Sequence, residues 1–365
     1  MEDDLPSVDD NSEIKDLRRS SEFRGTTFSN YKKNTVRKNL IDSMLHSKVE
    51  PACYWSIELI CAGHFAELWD IFLQYVGKHI HIGNPKIVIY LERRFEMFRS
   101  IMETANFTDE TQLRNHPTIR QMFAEIVSTL SISPRKHTFE HIKIKREEEF
   151  DMTQMKDRLK ADDVTYASEI LRGDDPKELF VSINELSYHL SPLHTNTVEA
   201  CYWIEWIIEF DAICKKRKQE CKCQTRGKTP VDNKYNKDII WIVWDALFYY
   251  AILKQNPFIE QLITSIYNLF CIKYTTAMCK KRRYLLYFAV AIIVEHVPNN
   301  IELMPNKNTI TTVMKQINIL YKQVKKNEIK PSTEYLFANM EKENEFEKSM
   351  IKLNLVNSVD IFNNK

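Results

Sequence analysis

Apolar residues recur at three- and four-residue spacing through most of the chain, the period of helices that bury one face. Between residues 36 and 131 this pattern predicts five helices, at 36–46, 51–62, 65–78, 85–104 and 117–131. In the second, Ala52, Trp55 and Leu59 form one stripe, widened by Cys53, Ile57 and Ile60. Leu68, Ile71, Phe72, Tyr75 and Val76 share a face in the third, and Ile87, Leu91, Phe95, Phe98 and Met102 in the fourth. Ile119, Phe123, Ile126 and Leu130 do so in the fifth. Gly63, Gly77 and Gly83 fall between helices, where a positive φ is often required. A charged connector occupies 132–176, with Asp174-Asp175-Pro176 reading as a helix start. A second helical unit spans 177–297 and is interrupted by a basic loop at 214–237. Residues 298–365 hold one amphipathic helix, striped by Ile310, Val313, Met314, Ile317, Leu320, Tyr321 and Val324, and a charged tail.

The two helical units share landmarks in the same order. Ala52-Cys53-Tyr54-Trp55 recurs as Ala200-Cys201-Tyr202-Trp203, 148 positions later. Leu68-Trp69-Asp70 is matched by Val243-Trp244-Asp245, Asn84-Pro85 by Asn256-Pro257, and Met122-Phe123-Ala124 by Tyr287-Phe288-Ala289. Ordered self-similarity predicts a repeated structural unit. The expected fold is therefore all-α: a tandem duplication of a roughly five-helix bundle, plus a C-terminal helix and extended termini. Trp55, Trp69, Trp203 and Trp244 are its expected structural anchors; Trp55 and Trp203 are each expected to bury a large ring while the indole N–H finds a partner.

Composition narrows the picture. Six glycines in 365 residues favour helices over turn-rich β architecture. A net charge of +1 leaves no global field for nucleic acid or membrane, so any such binding falls to local patches. The apolar runs Ile239–Leu253 and Tyr284–Val297 are shorter than the ~20 residues of a membrane span, and no transmembrane segment is expected. Eight cysteines without a signal peptide point to a reducing compartment.

Local chemistry is sparse. Residues 1–35 read as an extended arm, acidic at first, then basic and aromatic. Arg18, Arg19, Arg24, Lys32 and Lys33 stand among Phe23, Phe28 and Tyr31. Such an arm can grip nucleic acid through phosphates and stacked bases, lie across a neighbouring subunit, or fold onto its own domain. Lys215, Lys216, Arg217 and Lys218 offer a second basic patch for nucleic acid or a partner. Cys214, Cys221 and Cys223 lie in the same loop with no evident fourth ligand, so no metal site is assigned; basic neighbours would lower the thiol pKa values. His79 and His81 would point apart on an extended segment, and fit packing better than metal binding. Asp70 and Asp245, matched in the repeat, are expected to bond a helix end or an arginine. No Walker loop, dinucleotide fingerprint, serine elbow or zincin motif occurs. No cofactor and no catalytic residue are assigned.

Two resemblances bear on function. Leu40-Ile41-Asp42-Ser43, Pro51 to Trp55, Gly63-His64 and His81 to Pro85 resemble the helical collar that follows the ATPase module in clamp-loader-type proteins. That likeness covers about a quarter of the chain, lacks the ATPase, and implies protein–protein association. Arg24-Gly25-Thr26-Thr27-Phe28-Ser29, Tyr31-Lys32-Lys33, the repeated word and the Asn/Lys/Ile-rich composition are similar to helical proteins of giant nucleocytoplasmic large DNA viruses. That similarity implies a minor capsid protein of the virion, assembled in the host cytoplasm. Its partners would be other capsid proteins or its own copies. The alternative it leaves is a nucleic-acid-binding accessory factor in viral transcription or replication.

Overall fold

The computed structural model describes residues 12–105, 107–146, 150, 155–227 and 229–328. Its fold is all-α. Among the described residues there are thirteen α-helices and no strand, only an isolated bridge between Thr26 and Lys32. The helices are α1 (Lys33–Leu45), α2 (Val49–Cys61), α3 (Phe65–Tyr75), α4 (Ile87–Thr104), α5 (Glu110–Asn115), α6 (Pro117–Ile132), α7 (Phe180–Leu190), α8 (Thr197–Lys216), α9 (Ile240–Leu253), α10 (Pro257–Cys271), α11 (Thr276–Lys281), α12 (Arg283–Val294) and α13 (Lys307–Lys325). The short α5 and α11 carry too few residues to show a period, and the spacing of apolar positions does not reveal them.

The chain forms two compact units that do not follow the linear division at 36–131 and 177–297. Among the described residues, one contains residues 12–72, Arg93–Ser133 and residues 302–328; the other contains Leu73–Glu92 and Pro134–Ile301. The first unit takes in the C-terminal α13 because that helix lies on α2 and α6. The second takes in 76–83, a π-helical turn followed by a 3-10 turn, which packs on α12.

Each unit is built round one helix buried almost all round. In the first it is α6, where Met122 through Ser131 are all buried. In the second it is α12, buried from Arg283 through Ile293. Beside each stands an aromatic cluster. Trp69 packs on Phe95 at 5.1 Å, Phe123 at 5.7 Å and Phe98 at 6.1 Å between ring centroids. Trp244 packs on Tyr267 at 5.1 Å and Phe270 at 5.3 Å. Phe95 and Phe98 stand ten and thirteen residues after Pro85, and Tyr267 and Phe270 stand ten and thirteen after Pro257.

The repeated Tyr-Trp pairs share local geometry but not depth. Tyr54 and Trp55 meet edge-on at 5.2 Å and 83°, and Tyr202 and Trp203 at 5.2 Å and 84°. Trp203 is fully buried. Trp55 is half-buried and receives Tyr31 edge-on at 5.5 Å, so it lies at the margin of its unit's core. The indole N–H groups of Trp69, Trp203 and Trp244 meet no acceptor among the described residues, against the expectation of a partner for Trp203. Their apolar surroundings supply packing and leave that hydrogen bond unmade.

Only one of the three interhelical glycines has a positive φ. Gly63 (φ +73°) closes α2 in a Schellman turn, with His64 N–H bonded to Leu59 O and Gly63 N–H to Ile60 O. Gly77 is needed for closeness: a Cβ there would stand 2.7 Å from the Tyr284 backbone.

Residues 12–29 of the expected N-terminal arm form no free arm; residues 1–11, and the expected charged tail from 329 onward, lie outside the described residues. From Ser12 to Ser29 the chain is a strap clamped to the first unit by buried and half-buried polar side chains. Arg120 donates to Ser12 O at 3.0 Å and lies 3.8 Å over the Tyr321 ring. Asn115 exchanges two 2.8 Å hydrogen bonds with the Ile14 backbone. Arg114 donates to Arg18 O at 2.8 Å, and Glu58 accepts from Thr27 Oγ1 and Ser29 N–H, both at 3.0 Å. Phe23 and Phe28, which belong to the strap, are buried.

Two outcomes follow for denaturant unfolding. Trp69→Ala and Trp244→Ala should each cost about 3–5 kcal/mol, and Trp55→Ala about 1 kcal/mol; equal losses at Trp55 and Trp69 would contradict the burial ranking. Deleting residues 1–29 should destabilise the protein by about 3 kcal/mol or more relative to deleting 1–11, on the order expected when buried charges lose their partners; equal melting temperatures would show the strap to be dispensable.

Candidate functional site

The basic residues singled out in the strap are mostly engaged or isolated. Arg18 pairs with Asp16 and lies 4.3 Å over the Phe23 ring. Arg19, Arg24 and Lys32 are exposed, and Lys33 begins α1. Phe23 and Phe28 lie inside the unit, and of the three aromatics only Tyr31 stays exposed, edge-on to Trp55.

The second basic group forms a compact surface at the end of α8. Lys215 pairs with Asp211, and Lys216, Arg217 and Lys218 are exposed. The helix ends in the same hydrogen-bond pattern as α2, with Gln219 N–H on Cys214 O and Lys218 N–H on Lys215 O. Here Lys218 holds the left-handed position (φ +56°) in place of glycine. Cations at this end also complement the helix dipole.

The loop that follows is pinned, not solvated. Arg226, 5% exposed, makes a two-pronged pair with the buried Asp175 and a 2.8 Å bond to Asp245. Asp245 also meets Arg172 at 3.0 Å. Burial raises the Asp175 carboxyl, yet Arg226 and two backbone N–H groups outweigh it and hold the pKa below the ordinary range. Asp175 therefore serves the loop and does not cap a helix. Arg226 gave no sequence signal, because its neighbours are as basic as it is.

Seven of the thiols are buried and Cys221 is half-buried, environments that disfavour the reactive thiolate. Burial raises the pKa of all eight, with Cys53, Cys221, Cys223 and Cys279 each pushed up to about 12. The expected lowering by basic neighbours is overturned, because desolvation outweighs those charges. Cys223 instead donates to Asp238 O at 3.3 Å. No group of three His, Cys, Asp or Glu side chains among the described residues could hold a metal. His79 faces Thr138 at 3.0 Å and His81 packs 4.4 Å from Phe139; burial drops both to about 4, so both are neutral at pH 7.

One cavity stands out in the second unit. It measures about 250 Å³ and lies between the C-terminal half of α8, the start of α9 and α11. Ile207, Ile208, Ile239 and Ile240 give it apolar walls. At one side the Asp238 carboxylate accepts from Tyr274 Oη at 2.9 Å and from Thr276 Oγ1 at 2.7 Å. With the Tyr274 hydroxyl donating to Asp238, the Cys279 thiol 3.0 Å away can donate to Tyr274. The thiol and phenol are both held protonated by burial, so this chain of hydrogen bonds orients a carboxylate and offers no nucleophile. Nothing in the sequence pattern marks the site, since its residues come from three separated segments.

No protein-family model, curated protein or solved structure matches this chain. No helix among the described residues is long and apolar enough to cross a membrane.

The thiol environments give a direct expectation. In native protein at pH 8 a disulfide-exchange reagent should modify the thiols slowly, with the half-buried Cys221 first, and reach eight equivalents only after denaturation. Rapid modification of two or more thiols in the native protein would contradict it.

Proposed function

We propose that this protein is a non-enzymatic structural scaffold, a minor capsid protein of a large DNA virus whose helical units act as rigid spacers between virion components. The observation that carries the scaffold reading is the use made of interior polar groups. Glu58, Arg114, Arg120, Arg226 and Asp175 all hold neighbouring segments in place, and the thiols are kept protonated. The viral and capsid part rests on the sequence similarity of Arg24 to Lys33 and of the repeated word. Within this reading the two units descend from one bundle. The shared Tyr-Trp geometry and the equal spacing of the aromatics facing Trp69 and Trp244 support that descent. The basic part of the N-terminal arm has no linking role here, because residues 12–29 are bound within their own unit. Association with partners, its own copies included, then falls to helical surfaces and to the terminal arms 1–11 and 329–365, which lie outside the described residues.

A second reading, an accessory factor that binds nucleic acid, draws on the exposed run Lys216, Arg217 and Lys218 at one helix end. The two separate experimentally. Particles of the encoding virus should contain the protein in fixed proportion to the major shell protein, and its absence from them would end the capsid reading. Under the nucleic-acid reading, affinity should fall steeply with salt. Replacing Lys216, Arg217 and Lys218 by alanine should then make the log–log salt dependence shallower by about 1 for each phosphate no longer neutralised.

A further inference from the structure

We propose that the cavity between α8, the start of α9 and α11 binds a primary ammonium group carried on a short apolar stem. Asp238 is the reason. Its carboxylate faces isoleucine walls and is held by two hydroxyls, and no cation among the described residues pairs with it. The other charges around the cavity are matched: Lys215 pairs with Asp211, and Lys280 with Glu209, which also takes Arg146. Hydroxyl donors orient a carboxylate without neutralising it, so its charge stays open to an incoming cation. Asp211 also lines the cavity but is already paired with Lys215, which leaves Asp238 as the carboxylate open to a guest. An ammonium would meet Asp238 while its methylenes cover Ile207, Ile208 and Ile240. The cavity exceeds the ~150 Å³ that suffices for benzene and falls short of the roughly 300–1,000 Å³ of sites for larger ligands. A four- to six-carbon chain therefore fits, whether in a free amine or in a lysine side chain of a partner.

Titration of the full chain with n-hexylammonium, followed by chemical shifts and thermal stability, tests the assignment against n-hexanol of the same length. Saturable binding at least tenfold tighter for the amine is expected. Asp238→Asn, which keeps an acceptor for Tyr274 and Thr276, should reduce that preference to less than threefold. Ala277→Trp, at the exposed rim, should abolish binding of both compounds. Nα-acetyl-lysine methylamide separates the sources: binding as tight as hexylammonium identifies a partner's lysine, and clearly weaker binding identifies a free amine. Absence of saturable amine binding, equal affinity for amine and alcohol, or a preference unchanged in a folded Asp238→Asn protein would each overturn the proposal. Should that variant fail to fold, the wild-type comparison and Ala277→Trp still decide.

Discussion

A helix without a solvent face must be walled on every side, and α6 and α12 impose that demand on their units. Neither has the polar stripe that would let it rest at a surface. Around α6 the wall is made by α1, α2, α5 and α13, with Phe65, Trp69 and Phe98 closing on Phe123. Around α12 it is made by α8, α9, α10 and the 76–83 turns. The demand explains why each unit recruits a distant piece of chain. A local stretch of five or six helices leaves one flank of its central helix open, and burying that flank outweighs the entropy of closing a long loop, which grows only slowly with length.

The polar interior follows from the same demand. Wrapping the N-terminal strap over the first unit places extended backbone, with its unpaired N–H and C=O groups, against helices whose own groups are already bonded. Those strap groups must find side-chain partners, and Asn115, Arg114, Arg120 and Glu58 supply them. Arg120 shows how costly the arrangement is to undo. Its charge is met by carbonyl oxygens, an amide and the Tyr321 ring, so removing the strap would leave a guanidinium facing an apolar interior. The second unit fixes its loop on the same principle, through Arg226.

Helical periodicity made most of the fold legible in advance: α1 to α4, α6 and α13 all fall where the apolar spacing puts them, within a few residues. What stayed hidden was whatever depends on neighbours remote in sequence. A basic residue reads the same whether it is solvated, as Lys216 is, or buried, as Arg226 is. Phe23 and Phe28 among arginines suggested a stacking arm, yet those rings are apolar surface first, and a nearby bundle offered them burial. The thiols misled in a similar way, because neighbouring positive charges are visible in the sequence and desolvation is not. The cavity escaped notice because Ile207, Asp238 and Tyr274 belong to three segments with no shared motif.

Trp55 and Trp203 carry the relation between the units one step further. The same word, in the same edge-on pairing with the preceding tyrosine, is buried completely in one unit and only partly in the other. Local geometry is thus set by the helix, whereas depth is set by what lies on top: Tyr31 of the strap over Trp55, and the tight packing of α7, α12 and Trp206 round α8 over Trp203. If both units arose from one bundle, selection kept the aromatic cluster beside the central helix and let the covering segments diverge. The clusters at Trp69 and Trp244 fill the space beside each central helix, and the covering segments differ between the two units. A pair of packed units with unlike covers is suited to joining unlike neighbours, which is the physical content of the scaffold reading.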